Sequence, residues 1–310
     1  MKQNDKYGEL KSQLAAIACN FKENEPMYKH TSFRIGGPAD IFIMPDSEDA
    51  LIKALNMCRE LQTPVTVIGS GTNMLVSDLG IEGAVISTLG LKGMSVSENG
   101  EITAGAGVKI MSLSKAAAEH SLTGLEFAWG IPGSVGGAVY MNAGCYGSEM
   151  KDILISCRHM SISGNIGEYT KEELKMGYRK SAYTDSGLII ISAKAALKPG
   201  SRVDITERME ELMQKRLSKQ PYYMPSAGST FKRPEGNFAG SLIESCGLKG
   251  ASVGGAQVSE KHAGFIVNTG GASCDDVLRL ISKIKNTVYK ATGIMLECEI
   301  KIVGRTAAGI

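Results

Sequence analysis

Leu10, Leu14 and Ile17 recur at helical spacing and predict an amphipathic helix near the start of the chain. Residues 30–38 are a loop with the pair Gly36-Gly37, and 39–44 read as a strand. Asp46-Ser-Glu-Asp49 opens a helix that carries Leu51, Ile52 and Leu55 and stops before Pro64. The short apolar run 65–68 reads as a buried strand leading directly into Gly69-Ser-Gly-Thr-Asn73, and 84–87 reads as another strand. Strand and helix alternate, which is an α/β pattern.

A second unit repeats the alternation. Residues 101–104 are extended, and 109–120 form an Ala- and Ser-rich helix. A glycine-rich segment follows at 130–144, then strands at 153–163 and 188–197. Lys198-Pro-Gly-Ser201 punctuates the chain and places a domain boundary there. Beyond it the pattern predicts a charged helix over 204–219, ended by Gln220-Pro221, and a strand over 265–268. Ser273 and Asp276 have capping-box spacing for a helix reaching residue 291. Residues 294–303 alternate as an antiparallel strand would. No strict internal repeat is present.

Composition narrows the function classes. Of 310 residues, 43% are hydrophobic and 21% charged, ordinary for a globular chain with room for two or three domains. A net charge of +2, from 34 basic and 32 acidic residues, gives no footprint for nucleic acid. The seven cysteines are widely spaced without C-x-x-C, and the four histidines lack ligand spacing. Reduced thiols and no metal site are the expectation. No apolar run approaches the length of a membrane span, and the first residues do not resemble a signal peptide. A cytoplasmic protein without membrane insertion or an obligatory protein partner is expected.

The segment Gly130-Ile-Pro-Gly-Ser-Val-Gly-Gly-Ala-Val-Tyr-Met-Asn-Ala-Gly144 has five glycines in fifteen residues, more than a packed helix or strand tolerates. Glycine lets backbone N–H groups turn toward a guest, so the segment reads as a binder of an anion or a flat cofactor edge. The loop at 69–73 is its upstream counterpart. Neither fits G-x-G-x-x-G; in the upstream loop Met74 stands where the third glycine belongs, and no P-loop motif exists. Read alone, each loop serves equally as a tight turn. Ser229, Arg179 and Glu299 are likewise unremarkable alone: a loop serine, a surface arginine and a carboxylate on a terminal strand. Arg216 and Lys219 suit a pyrophosphate and also suit the polar face of a helix.

In order along the chain, Thr31-Ser-Phe-Arg-Ile-Gly-Gly-Pro38, Gly69-Ser-Gly-Thr-Asn73, Gly130-Ile-Pro-Gly-Ser-Val-Gly-Gly137, Asn142-Ala-Gly144, Tyr178-Arg179, Ala227-Gly-Ser-Thr-Phe-Lys232 and Glu299-Ile-Lys-Ile-Val-Gly304 closely resemble the UDP-N-acetylenolpyruvoylglucosamine reductase family. The likeness runs from about residue 28 to 304. It implies a mixed α/β and α+β fold: a vanillyl-alcohol-oxidase-type FAD-binding region of two α/β subdomains and a C-terminal α+β domain for the UDP-sugar. The corresponding segments are an N-terminal helix in 1–27, subdomains at 28–88 and 89–200, a C-terminal domain at 201–304 and a tail at 305–310. Residues 180–200 leave little room for the tyrosine loop of the family's longer form, so this is the shorter form.

The resemblance implies FAD held by Gly69, Ser70, Gly71, Thr72 and Asn73, and by Gly130, Ile131, Pro132, Gly133, Ser134, Gly136 and Gly137, with Asn142 and Gly144 nearby. NADPH would reduce the flavin and leave. The enolpyruvyl UDP-sugar would then receive hydride from flavin N5 at its terminal carbon. On the same basis Ser229 donates the proton to carbon, while Arg179 and Glu299 stabilise the enolate. Lys232 and His262 join Arg216 and Lys219 as candidate substrate contacts. Another flavin oxidase of the same broad fold would keep the glycine loops without needing Ser229, Arg179 and Glu299 together, and a nucleotide-binding module without chemistry is the other reading of the loops.

Overall fold

A computed structural model describes residues 6–306 and divides the chain into two compact units. Unit one comprises the chain up to Glu23, Ile41–Ser70 and Gly83–Gln214; unit two comprises Asn24–Asp40, Gly71–Glu82 and the chain from Lys215 onward.

The largest sheet of unit one has the order Ile166–Thr170, Leu154–Met160, Ile189–Ala196, Glu101–Gly105, Met94–Val96. All its neighbouring pairs are antiparallel. Ile189–Ala196 lies in the middle and buries Ile189, Ile190, Ile191, Ala193 and Ala195. Such a continuous apolar run marks a strand covered on both faces. The helices Ile110–Glu119 and Val135–Tyr140 add Leu113, Ala116, Ala117, Val135 and Val139 to the same core. In helix Glu48–Glu60, Leu51, Ala54, Leu55 and Cys58 are buried at helical spacing. Ser47 caps it by accepting a hydrogen bond from Ala50 N at 3.2 Å. Strands Val65–Ile68 and Ile81–Ser87 pair in parallel, with Val65 opposite Ala84. They belong to a four-stranded sheet in the order Asn20–Pro26, Pro38–Met44, Ile81–Ser87, Val65–Ile68.

Unit two contains a four-stranded antiparallel sheet, ordered Ser226–Ser229, Phe265–Asn268, Ala256–Val258, Ser252–Val253. Helix Cys274–Thr292 buries Val277, Leu280, Ile281, Ile284 and Val288 against the core of this unit. The capping box is present: Ser273 Oγ accepts from Asp276 N at 3.0 Å, and Asp276 Oδ2 accepts from Ser273 N at 3.1 Å. Asp78 satisfies two more N–H groups of the first turn, accepting from Cys274 N at 2.7 Å and Asp275 N at 3.0 Å.

Two sequence expectations change. Residues 294–303 do not form one antiparallel strand. Only Lys301–Val303 is regular, and it pairs in parallel with Met74–Val76. Ahead of it, Cys298 makes an isolated antiparallel bridge to Phe231. Alternation reports which side chains are buried, and it is blind to the direction of the neighbouring strand. The second change is a helix, Val135–Tyr140, inside the glycine-rich segment. Here glycine is required for packing. A Cβ on Gly136 would stand 2.9 Å from the Cβ of Ala106, and Gly136 N donates to Ala106 O at 2.9 Å. The helix accepts the propensity cost of glycine in exchange for this close approach.

Candidate functional site

The two glycine-rich segments meet within unit one. A Cβ on Gly69 would lie 2.5 Å from Ser134 Oγ, so any other residue where the strand Val65–Ile68 ends would have to displace that hydroxyl. Ser134 is buried and caps helix Val135–Tyr140, accepting from Gly137 N at 3.5 Å. Among the described residues, the N–H groups of Gly69, Ser70, Gly133 and Ser134 donate to no atom of the protein. Gly130 and Gly133 have positive φ, 87° and 145°. Uncommitted N–H groups on such a backbone are suited to an anion. Ile131, by contrast, donates inward to Ala128 O at 3.1 Å, and Pro132 has no N–H to offer.

Asn142 and Gly144 are committed to the protein itself. The Asn142 side chain donates to Glu149 Oε2 at 2.8 Å and to Gly177 O at 3.0 Å, and its Oδ1 accepts from Lys151 N at 2.9 Å. Gly144 pairs with Glu149 in the short hairpin Gly144–Cys145 and Ser148–Glu149.

Arg179 lies on a tight turn. Gly177 and Lys180 exchange both backbone hydrogen bonds, Gly177 N to Lys180 O at 2.9 Å and Lys180 N to Gly177 O at 3.2 Å. Arg179 has φ 53°, a left-handed conformation costing a residue with a side chain about 1–2 kcal/mol. Its guanidinium lies 5.3 Å from the centre of the exposed Tyr178 ring.

Unit two carries the other candidates. Gly71 O accepts from Ser32 N at 3.2 Å. Asn73 fastens the segment to the end of the chain: its Nδ2 donates to Glu299 O at 3.2 Å and its carbonyl accepts from Lys301 N at 2.9 Å. Ser229 closes the strand Ser226–Ser229, opposite Phe265. The chain then runs antiparallel to 297–299, with Thr230 O accepting from Glu299 N at 2.8 Å and Lys232 N donating to Glu297 O at 2.8 Å. Ser229 and Glu299 therefore stand on adjacent extended segments, both half-buried. Thr72 is half-buried beside Asn73.

The four candidate substrate contacts differ in setting. Arg216 is buried, 7% exposed, with Nη1 donating to Gln220 Oε1 at 3.1 Å. Lys219, one turn on in helix Arg202–Lys219, is exposed. Lys232 pairs with Glu297 at 2.9 Å and holds that carboxyl below its ordinary range. His262 accepts at Nδ1 from Gly264 N at 3.1 Å and stacks edge-on to Phe265. Burial lowers its pKa, so a neutral ring with the proton on Nε2 is favoured. Sequence reasoning missed the supporting residues: Asp78, which caps a distant helix, and Glu149, which anchors Asn142. Their partners are remote in sequence, and no local signal marks them.

Comparison with known proteins supplies the family. Residues 220–303 match the model of the UDP-N-acetylenolpyruvoylglucosamine reductase C-terminal domain, and 39–169 match that of an FAD binding domain. A UDP-N-acetylenolpyruvoylglucosamine reductase of Agathobacter rectalis is 50% identical over 296 residues, covering 91% of this chain and 93% of the relative. One from Clostridioides difficile is 48% identical over 285 residues, covering 92% and 94%. The solved reductase of Thermus caldophilus matches with a TM-score of 0.79 at 35% identity, over 92% of this chain and 99% of that one. Berberine bridge enzyme from Eschscholzia californica, at 18% identity and a TM-score of 0.50 over 62% of this chain and 44% of its own, shares the fold alone. The fold is thus mixed α/β with a vanillyl-alcohol-oxidase-type FAD-binding region. The chain belongs to the UDP-N-acetylenolpyruvoylglucosamine reductase family and is an FAD-dependent oxidoreductase.

Proposed function

We propose that the chain reduces UDP-N-acetyl-3-O-(1-carboxyvinyl)glucosamine to UDP-N-acetylmuramate, a step of peptidoglycan precursor synthesis, with NADPH as the electron source. Family membership supports the substrate, and the resemblance of the sequence motifs supports NADPH. The uncommitted N–H groups of Gly69, Ser70, Gly133 and Ser134 fit the pyrophosphate of FAD, because they offer fixed donors to negative charge. FAD, when bound, supplies the hydride chemistry.

The rest falls to side chains. Hydride addition to the terminal carbon of the enol ether leaves an electron pair on the neighbouring carbon, delocalised into the carboxylate. Arg179 pairs with that carboxylate and stabilises the developing charge. Ser229 gives its hydroxyl proton to the carbon, forming the C–H bond, and regains a proton from solvent. Glu299, in its protonated form, assists at the carboxyl, since a second negative charge there would oppose the enolate. Arg216, Lys219, Lys232 and His262 are assigned to the UDP-sugar.

The observation that carries this chemistry is the register of unit two, in which a hydroxyl and a carboxyl occupy adjacent extended segments, joined through Thr230 O and Glu299 N. Ser229→Ala tests it. Reduction of the bound flavin by NADPH should persist, while reoxidation by the enolpyruvyl sugar should slow by about 10²–10⁴. Reoxidation at the wild-type rate would remove Ser229 from the proton-donor role.

A further inference from the structure

We propose that Asn142 is a positioning residue for Arg179, holding the turn that presents the guanidinium. The inference rests on the reading that Arg179 meets the substrate carboxylate. Asn142 is wholly buried, with φ 44°, a backbone conformation that Asn tolerates better than most residues. Lys151 N–H can only donate and Gly177 O can only accept, so the network fixes which end of the amide points where. Both Nδ2 hydrogens are then used, one on Glu149 and one on Gly177.

Gly177 O is the informative partner. The same carbonyl accepts from Lys180 N and closes the turn around Tyr178 and Arg179. On the other shoulder, buried Ser181 donates its hydroxyl to Tyr140 O at 2.8 Å. Residues 140–142, at the end of the glycine-rich segment, therefore clasp the turn on both sides. A non-glycine residue at positive φ persists only where its surroundings over-determine it. Asn142 and Ser181 are part of those surroundings. The segment that offers N–H groups at 133 and 134 also fixes Arg179 through its last residues.

The test uses the FAD-loaded enzyme. Asn142→Gly accepts positive φ and deletes the Asn142 side of the clasp, and Asn142→Asp keeps the shape but turns both donors into acceptors facing Glu149 and Gly177 O. Hydrogen exchange of the Gly177 and Lys180 amides should rise about 10-fold or more in both variants, while exchange in Ile189–Ala196 stays at the wild-type level. Reoxidation of the reduced flavin by the enolpyruvyl sugar should slow about 10-fold in Asn142→Gly and show no further loss when the change is added to Arg179→Ala. Unchanged exchange at 177 and 180 in both variants, or full additivity with Arg179→Ala, would overturn the proposal. If Arg179→Ala alone leaves reoxidation intact, the role of Arg179 fails, and the exchange measurement still decides whether Asn142 holds the turn.

Discussion

Arg179 sits where the backbone would prefer glycine, with φ 53° at the third position of a four-residue turn. Arg179 shares this conformation with other non-glycine residues such as Lys175 and Asp185, so the proposed role of its guanidinium has to be separated from the backbone by substitution. Arg179→Gly should therefore leave stability unchanged or raise it by up to about 1 kcal/mol, while lowering kcat by about 10²-fold or more. Urea unfolding and steady-state kinetics on one preparation check both; a stability loss above about 1 kcal/mol would make the guanidinium structural. At Gly69 the opposite demand operates, since Ser134 Oγ fills the space a Cβ would need. Gly69→Val should reduce FAD occupancy in the purified protein, read from the flavin absorbance per chain, and full occupancy would reduce the loop to a turn. The glycines themselves were legible in the sequence. Which of them keep an uncommitted N–H group and which pack on Ala106 was not, because that depends on a neighbour more than twenty residues away.

Among the elements, helix Cys274–Thr292 shows how much local pattern can carry. Its apolar spacing and the Ser273–Asp276 box are plain in the sequence, and both are realised. The carboxylate of Asp78 at the same terminus was invisible, as it arrives from nearly two hundred residues upstream. Ser273→Ala should cost about 1 kcal/mol, measured by chemical denaturation. The hydrogen bond from the Ser273 backbone, above all, holds the Asp276 carboxyl below its ordinary value of 3.8. A depressed carboxyl stabilises the fold above its unfolded pKa and loses that contribution as pH falls through the folded one. Stability should thus decline as pH drops below about 3.8, and the decline should be shallower in Asp276→Asn. An identical acid limb in both proteins would contradict the assignment. The run 294–303 marks the limit of pattern reading: Leu296 and Ile300 are buried as alternation implies, but Ile302 is exposed, and the parallel partner of Lys301–Val303, Met74–Val76, was not foreseen.

The whole molecule is less legible than its parts, because its units interleave. Unit two is assembled from three separate stretches, so no single compositional boundary delimits it. Motif order along the chain carried the family even so, since glycine loops and single polar residues keep their sequence whatever the units do. The cysteines report on both units at once. Burial pushes the Cys58, Cys157 and Cys274 thiols up to about 12, whereas Cys145, Cys246 and Cys298 are only partly buried. Alkylation mapped by mass spectrometry in native protein should therefore reach the last three first, with Cys58, Cys157 and Cys274 labelled only on unfolding. Among the described residues no helix is long and apolar enough to cross a membrane. The central claim, that these units carry out an FAD-dependent reduction of an enolpyruvyl UDP-sugar, is tested most directly by anaerobic stopped-flow absorbance of the purified protein. NADPH should bleach the flavin band, and enolpyruvyl UDP-N-acetylglucosamine added next should restore it with one UDP-N-acetylmuramate formed per flavin. A flavin that NADPH leaves oxidised, or a reduced flavin that the sugar fails to reoxidise, would contradict the account.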